Sequence, residues 1–314
     1  MADRLPPLTA LRAFDAAAKH MSFAKAAEEL NVTPAALSFQ IKNLEERLGE
    51  PLFHRLNRAV SLTEAGRTLA PGCAQGFESL ADAWHATQRL QEAQTLTVTA
   101  GPAFTAKWLA PRIYDFAHAH PEIELRFTAS LKLIDIRREN IDVAIRYGYG
   151  PDTGLYSEPL HYEWVCPVMA PALAEQFDTP QAMAEKAPLI FDESIDFLRP
   201  KVDWAAWFDC MGVEYKPRQG AHFSQADHAI DAALSGVGVV LGRRALVVKD
   251  IADGRLVAPF RVALNTQARF RFICSEGDET RPHIKAFRDY IWQEAEKTTW
   301  ITDSMRILEV GDKA

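Results

Sequence analysis

The hydrophobic positions of the first 66 residues repeat with the spacing of short helices. The first helix is predicted over residues 7–20. Ser22 is a suitable N-cap for the second, and Thr33 followed by Pro34 begins the third, which Gly49 ends. The predicted buried positions are Leu8, Leu11, Phe14, Phe23, Ala26, Ala27, Leu30, Leu37, Ile41, Leu44 and Leu48.

Two short helices joined by a tight turn form a helix-turn-helix, and the residues after Gly49 predict a wing beside it. Leu52-Phe53 and Val60-Ser61-Leu62 are suited to two short strands around a turn at Leu56-Asn57-Arg58. Residues 1–66 are therefore predicted to be one winged helix-turn-helix domain.

A long helix is predicted from its N-cap Thr63 to about Glu92, with Pro71 and Gly72 loosening its first third. Its apolar stripe is too long for a small domain to cover, and such a stripe normally pairs with a second copy of itself. Residues 67–92 are therefore predicted to be a linker and dimerisation helix. The residues predicted to form its contact are Leu69, Cys73, Phe77, Leu80 and Trp84.

From Thr95 onward, segments of strand character alternate with segments of helical character. This alternation predicts an α/β architecture with parallel sheets. The clearest elements are strands at 96–100, 123–127 and 143–146 and helices at 104–118, 134–139 and 282–296. Residues 301–314 show no such pattern and are interpreted as a tail.

Composition adds that the chain is globular and long enough for about two domains, with 314 residues, 48% of them hydrophobic and 25% charged. No apolar run approaches the ~18 residues of a membrane span, and the N-terminus lacks the layout of a signal peptide. A cytoplasmic protein with no membrane contact is expected. Its four cysteines are far apart, so buried thiols are expected rather than zinc or disulfides; a redox switch between two of them stays open.

Charge is distributed unevenly along the chain. Residues 1–66 hold eight basic and eight acidic side chains, so the whole net charge of −7 lies in residues 67–314. A neutral N-terminal domain neither supports nor excludes DNA binding, because affinity depends on where the cations point.

Three patterns could be taken for catalytic or ligand-binding motifs, and each has a simpler interpretation. Ser22-Phe23-Ala24-Lys25 matches S-x-x-K, but Ser22 already serves as an N-cap. The glycine-rich run 236–242 precedes a strand, so tight turns and close packing explain it better than a dinucleotide site. His118 and His120 lack a carboxylate that would complete a metal site. No enzyme activity, cofactor or metal is expected.

The N-terminal segment resembles the LysR-type transcriptional regulators in five blocks at matching spacing. The blocks are 22–30, 32–42, Leu44-Glu45 with Leu48-Gly49, Leu52-Phe53-His54-Arg55, and Leu62-Thr63-Glu64-Ala65-Gly66. Further segments at 104–112, 120–121, 142–148 and 238–243 look like the glycine-cleavage-activator subgroup. Residues after Trp300 lie outside the resemblance.

The resemblance implies a winged helix-turn-helix, a dimerising linker helix and a two-lobed sensor similar to type 2 periplasmic binding proteins. The sensor, or effector-binding domain, would occupy residues 93–300. Its first lobe would comprise 93–163 and 268–300, and its second lobe 164–267.

In such a protein the outward face of the third helix is expected to enter the major groove of DNA. Its expected base contacts are Thr33, Pro34, Ala35, Ser38, Phe39 and Lys42, with Arg55 and Arg58 on the backbone or minor groove. Many family members have a polar or basic residue where this chain has Phe39. That ring could pack on a thymine methyl group or fold back against the first helix.

The sensor is expected to bind its ligand outside the carboxyl ends of its strands, where helix N-termini point. The expected ligand residues are Ala103, Phe104, Thr105, Ser130, Arg146, Tyr147, Ser224 and Gln225. Hydroxyls, backbone N–H groups and an arginine suit a small carboxylate or an amino acid. The alternatives are that Arg146 forms a structural ion pair and that Ser224 only caps the helix that follows it.

The leading hypothesis is thus a ligand-responsive transcription regulator that binds a palindromic promoter site in double-stranded DNA. It would act as a homodimer or, by family habit, a homotetramer, and would contact RNA polymerase. The alternative is an enzyme in residues 95–300 that carries an autogenous repressor head, but the catalytic motifs for it are missing.

Overall fold

The computed structural model describes residues 5–56, 59–91, 95–132, 135–136, 139 and 141–313. The chain divides into two compact units, 1–91 and 92–314. Across the described ranges, no helix combines the length and apolarity that a membrane span needs.

The first unit has three short helices, a two-stranded hairpin and one long helix. They are α1 Leu8–His20, α2 Phe23–Glu29, α3 Pro34–Leu48, β1 Phe53–Leu56, β2 Ala59–Leu62 and α4 Glu64–Gln91. The Ser22 hydroxyl accepts a hydrogen bond from Lys25 N at 3.4 Å, and the Thr33 hydroxyl accepts one from Ala36 N at 3.2 Å. Both predicted N-caps are confirmed, and Ser22 has the structural role that the sequence favours.

The hairpin is fixed to α3 by one carboxylate. Glu45 accepts hydrogen bonds from the backbone N–H groups of Leu52, at 2.8 Å, and Phe53, at 3.3 Å. The Phe53 ring then packs against Phe14 of α1 at 5.4 Å between centroids. The predicted wing is therefore present and held in a fixed position beside α3, although its tip at 57–58 lies outside the described residues.

Helix α4 begins as predicted, with the Thr63 hydroxyl accepting from Gly66 N at 3.1 Å. The predicted dimerisation stripe needs one correction. Cys73 is only 7% exposed and belongs to the core of its own unit, and Leu69 and Phe77 pack against that core. The first turns of α4 thus complete the small domain, which the sequence pattern alone did not indicate.

The second unit contains eleven strands and nine labelled helices within its described residues. The strands are β3 Thr95–Ala100, β4 Glu124–Ala129, β5 Val143–Gly148, β6 Leu155–Pro159, β7 Trp164–Val168, β8 Leu189–Asp192, β9 Ala221–Phe223, β10 Val239–Arg243, β11 Val262–Asn265, β12 Arg269–Ser275 and β13 Arg306–Leu308. The helices are α5 Pro102–Phe104, α6 Ile113–Ala119, α7 Pro171–Ala174, α8 Pro180–Lys186, α9 Trp204–Cys210, α10 Ala226–Leu234, α11 Arg244–Ala252, α12 Pro282–Glu296 and α13 Trp300–Asp303.

These strands form two sheets, which define two lobes. Lobe I has the order β4-β3-β5-β12-β6, and lobe II has the order β13-β11-β7-β10-β8-β9. The expectation of parallel sheets is only partly right. β3, β4 and β5 are parallel, and so are β8, β9 and β10, but β12 runs antiparallel to β5 and β7 antiparallel to β10. The chain crosses between the lobes at 160–163, at 266–268 and again after α12. The strands that follow the first two crossings, β7 and β12, run antiparallel to their neighbours.

The predicted helix at 104–118 is interrupted. Helix α5 continues into a π-helical turn, Thr105–Leu109, and α6 starts only at Ile113. Pro111 lies in the break, where its missing N–H cannot continue a helix. The helix predicted at 134–139 falls mostly outside the described residues.

The predicted tail is also wrong. Helix α13 buries Ile301, and β13 pairs in parallel with β11 at the edge of the lobe II sheet. Leu308 is 8% exposed and packs into the core of that lobe. The alternation of Arg306, Ile307 and Leu308 is too short to identify a strand without its neighbour.

The glycine-rich run behaves as the simpler interpretation expects. A Cβ on Gly238 would lie 2.3 Å from the Pro188 carbonyl oxygen, so close packing requires glycine there. All four cysteines are free and buried, as the sequence predicts.

Candidate functional site

The outward face of α3 forms the first candidate site. Thr33, Pro34, Ala35, Phe39 and Lys42 are exposed, and Ser38 is half-buried between them. Leu37, Ile41 and Leu44 face the core instead, whereas Leu48, also predicted to be buried, is 53% exposed. One helix therefore presents all six predicted DNA-contacting residues on the side that the domain leaves uncovered.

Phe39 is 61% exposed, a large fraction for an aromatic side chain. The ring lies outside the core around α1 and is exposed on the outward face of α3. Lys42 lies 3.5 Å from Glu46 one turn along the helix, an exposed pair of little energetic weight. The Arg55 side chain and all of Arg58 lie outside what the structure describes.

The predicted dimerisation residues divide into two groups along α4. Leu69, Cys73 and Phe77 contact the core of the first unit, whereas Leu80 and Trp84 are 55% and 63% exposed. Of the five predicted dimerisation residues, Leu80 and Trp84 are the two that form an uncovered apolar patch.

The second candidate site is a cavity of about 190 Å³ between the two lobes. In lobe I it is bounded by the carboxyl ends of the parallel strands β3, β4 and β5, and in lobe II by those of β8, β9 and β10. Helices α5 and α10 begin beside it. This is the place where open α/β sheets bind ligands, and its volume is below the ~300 Å³ of cavities for drug-sized molecules.

Three cations line the cavity: Lys132 and Arg146 from lobe I and Arg243 from lobe II. No acidic residue is among the described residues that line it. Burial lowers the pKa of Arg146, an effect that nearby Arg271 reinforces and that Asp152 and Asp135 oppose. A cavity of this charge favours an anionic ligand.

Arg243 is held at the end of β10 by several contacts. Its Nη2 donates to the Ser194 hydroxyl at 2.9 Å and lies 3.5 Å from an Asp192 carboxylate oxygen. Its guanidinium lies 4.9 Å above the centre of the Tyr147 ring, and its buried Nε has no hydrogen-bond partner among the described residues. The arginine is therefore positioned before any ligand arrives.

The structure brings five of the eight predicted ligand residues to the cavity: Ala103, Ser130, Arg146, Tyr147 and Gln225. The other three lie elsewhere, and each has a structural reason.

Phe104 is buried and stacks on Trp108 at 4.9 Å. Thr105 donates to the Gly101 carbonyl within its own helix at 3.1 Å. Ser224 is not the N-cap of α10, because that helix begins at Ala226 with Gln225 in the cap position.

Sequence reasoning missed several residues of the cavity, among them Lys132, Ser194, Phe197, Arg243 and Phe270. Arg243 could have been found, because it ends the apolar strand 239–243 just as Arg146 follows the apolar run 143–145. Phe270 comes from the antiparallel strand β12, whose place beside β5 no local pattern predicts. No cluster of three or more metal-ligating side chains occurs in the described part of the chain.

Two family models match the chain. Residues 8–67 match the bacterial regulatory helix-turn-helix protein, lysR family, and residues 89–296 match the LysR substrate binding domain. The two matches cover the first unit's small domain and most of the second unit.

Curated relatives match over nearly the whole chain. The glycine cleavage system transcriptional activator of Escherichia coli strain K12 is 38% identical over 299 residues, covering 94% of this chain and 96% of that protein. The HTH-type transcriptional activator AmpR of Pseudomonas aeruginosa is 34% identical over 291 residues, covering 92% and 96%. The solved effector domain of AmpR from P. aeruginosa aligns with a TM-score of 0.53 at 27% identity, covering 65% of this chain and 96% of that domain.

Proposed function

The chain belongs to the LysR family of bacterial transcriptional regulators, and from that premise we propose that its effector is a small carboxylate or amino acid bound in the interlobe cavity. The single observation that carries this proposal is the charge of the cavity, where Lys132, Arg146 and Arg243 converge and no acid lines the described wall. The protein is a regulator rather than an enzyme, and its relatives are named as transcriptional activators.

Closure of the cavity is the proposed switch. A carboxylate between Arg146 of lobe I and Arg243 of lobe II would hold the two lobes together, since charge-assisted hydrogen bonds to arginine are strong and directional. The change in lobe position would alter how the sensor units set the spacing of the DNA-binding heads.

The DNA partner is proposed to be a palindromic promoter site in double-stranded DNA, read by two copies of α3. A two-fold symmetric dimer places two recognition helices one helical turn apart or a multiple of that distance. Leu80 and Trp84 are the exposed residues that support pairing through α4. We further propose that the final assembly is a tetramer and that it contacts RNA polymerase. It would act in the cytoplasm, where the promoter DNA lies.

The residue roles at the DNA are part of the same proposal. The outward-facing α3 residues, with Ser38, Phe39 and Lys42 among them, would lie in the major groove and read base edges, and Arg55 and Arg58 would contact the backbone or the minor groove. The exposure of the α3 face supports the first group.

A thermal-shift screen tests the effector class directly. Small carboxylates and amino acids are added to the full chain, and each is compared with its own primary amide as a neutral control. A ligand at about 100 times its Kd adds roughly 2.7 kcal/mol of stability, which raises the Tm by several degrees in a unit of this size. The expected result is a carboxylate that raises the Tm while its amide does not; an amide that stabilises equally well contradicts an anion site.

A further inference from the structure

A second cavity, larger than the interlobe one, lies within lobe II. Its volume is about 390 Å³. The end of β8, the start of α9 and the segment before β9 enclose it, and its walls include Phe191, Asp196, Trp204, Tyr215 and His222. The function proposed above makes no use of it.

The walls of this cavity are aromatic. His222 stacks on Phe191 at 4.5 Å between ring centres, with 7° between the planes. Trp204 is fixed by a hydrogen bond from its Nε1 to the Ile190 carbonyl oxygen at 3.0 Å. Tyr215 stacks on Phe208 at 4.9 Å. The rings are held by the fold. Trp204 is only 2% exposed, so Phe191, Tyr215 and His222 supply the accessible aromatic surface.

The charged lining is acidic, in contrast to the interlobe cavity. It contains four carboxylates, Asp192, Glu193, Asp196 and Asp203, against Lys201 and Arg218.

The two cations have partners within lobe II, and of the two only Lys201 is paired with a carboxylate of the described residues. Lys201 pairs with Asp203 at 3.1 Å, and Arg218 donates to the carbonyl oxygens of Ala187, at 3.1 Å, and Glu185. Glu193 and Asp196 are the exposed carboxylates of this lining, and Glu193 Oε1 lies 3.0 Å from His222 Nδ1.

We propose that this cavity is a second ligand site that takes a small organic cation carrying a flat apolar group. An ammonium group placed between fixed aromatic rings and carboxylates gains both cation–π attraction and charge pairing. The two cavities of this unit thus have opposite charge preferences, an anion between the lobes and a cation within lobe II.

The two cavities share one wall. Asp192 and Glu193 line the second cavity, and Ser194, the next residue along, lines the first. The Asp192 carboxylate is also the partner of Arg243, at 3.5 Å. A cation in the second cavity would therefore lie close to the residues that position Arg243.

The test titrates the full chain calorimetrically with phenethylamine and tryptamine. Their neutral counterparts, 2-phenylethanol and tryptophol, have the same ring and chain length without the charge. The expected result is that at least one amine binds ten or more times more tightly than its alcohol. Absence of amine binding at millimolar concentration, or equal binding of amine and alcohol, overturns the proposal.

Variants then locate the site. Asp196→Asn and Glu193→Gln should each weaken amine binding about threefold to tenfold. Glu175→Gln, an exposed carboxylate of lobe II outside the cavity, should leave it unchanged. Arg146→Gln, which alters only the interlobe cavity, should also leave amine binding unchanged. A failure of the cation-site proposal can therefore be told apart from a failure of the proposed anion site. Amine binding that survives the combined change of Asp196 and Glu193 at full strength contradicts the assignment.

Discussion

The recognition face of α3 and the interlobe cavity differ in how the chain builds them. Six residues within ten positions, Thr33 to Lys42, form the first on one helix. The cavity draws on segments from Thr99 to Phe270, at the ends of seven strands in two sheets. The first surface is a local structure, and the second exists only when distant parts of the chain have assembled.

This difference determines which functional site can be predicted from the sequence alone. A surface built on one helix carries its caps, its buried face and its exposed face in a continuous stretch. A cavity between sheets depends on strand order, and strand order is set by long-range pairing. The predictions below separate the two regions or test whether they act together, beginning with the largest expected effect.

Removing the exposed apolar pair of α4 should separate the DNA-binding heads. Leu80→Asp with Trp84→Asp places two charges in the proposed dimer contact, and we expect monomers. Loss of the second head removes its effective concentration, so affinity for palindromic DNA should fall by about 10²- to 10⁴-fold. Sedimentation velocity and DNA titration measure the two effects.

The matched control is Ala81→Asp with Ala83→Asp, two exposed positions on the same helix that add the same charge. The control should stay oligomeric and keep its affinity for DNA. A monomeric control, or an oligomeric Leu80/Trp84 variant, contradicts the assignment of the patch.

Glu163 should make the second unit less stable as the pH rises from about 4.5 to 7, a contribution opposite in sign to that of His161 and His283, whose pKa values burial lowers. Glu163 is fully buried at the first lobe crossover, where Ala245 N donates to it at 3.2 Å, and burial raises its pKa to about 7 despite nearby Arg244 and Arg243. The folded state holds the proton in a range where the unfolded chain has released it, so the free energy of unfolding falls by up to about 3 kcal/mol.

Scanning calorimetry of wild type and Glu163→Gln across this pH range measures the effect. Relative to wild type, the variant should lack the fall in the free energy of unfolding between pH 4.5 and 7, and Glu175→Gln, whose carboxylate is exposed, should retain the wild-type slope. A wild-type slope in Glu163→Gln means that another group is responsible.

Neutralising Arg146 should weaken binding of the effector without changing the affinity for DNA. Arg146→Gln removes one charge-assisted contact, worth about 1.5–3 kcal/mol, and should raise the Kd for the carboxylate by roughly 10- to 100-fold. Isothermal titration with the carboxylate found by thermal shift gives the number. Arg126→Gln, an exposed arginine paired with Glu124 on β4, is the control; equal affinities in both variants remove Arg146 from the site.

The sequence predicted most of the first unit, since Ser22, Thr33 and Gly49 are local signals with a direct structural consequence. It did not predict that Cys73 would be core, because that depends on α4 lying against the three short helices. In the second unit, the sequence indicated Arg146 and Tyr147 because they directly follow the apolar run 143–145 of a predicted strand. Arg243 and Phe270 were missed, since their approach to Tyr147 results from the pairing of both sheets.

The smallest expected effect concerns the ring on the recognition helix. Phe39→Ala removes an exposed apolar contact and should lower affinity for the specific site by about 1 kcal/mol, or roughly fivefold, with little change on non-specific DNA. Fluorescence anisotropy on both DNAs checks it. Leu48→Ala, at the far end of the same helix and also exposed, should change neither affinity; an equal loss in both variants denies Phe39 a role in specificity.

The central claim is that an anion bound between the lobes changes how the DNA-binding heads bind DNA. One measurement tests the interlobe cavity and the recognition face of α3 together. Binding of the DNA upstream of the protein's own gene is measured with and without the carboxylate, for wild type and Arg146→Gln. The account predicts that the carboxylate changes the affinity or footprint of wild type, while Arg146→Gln at the same concentration behaves like wild type without ligand. A carboxylate that shifts DNA binding equally in both proteins would contradict the account.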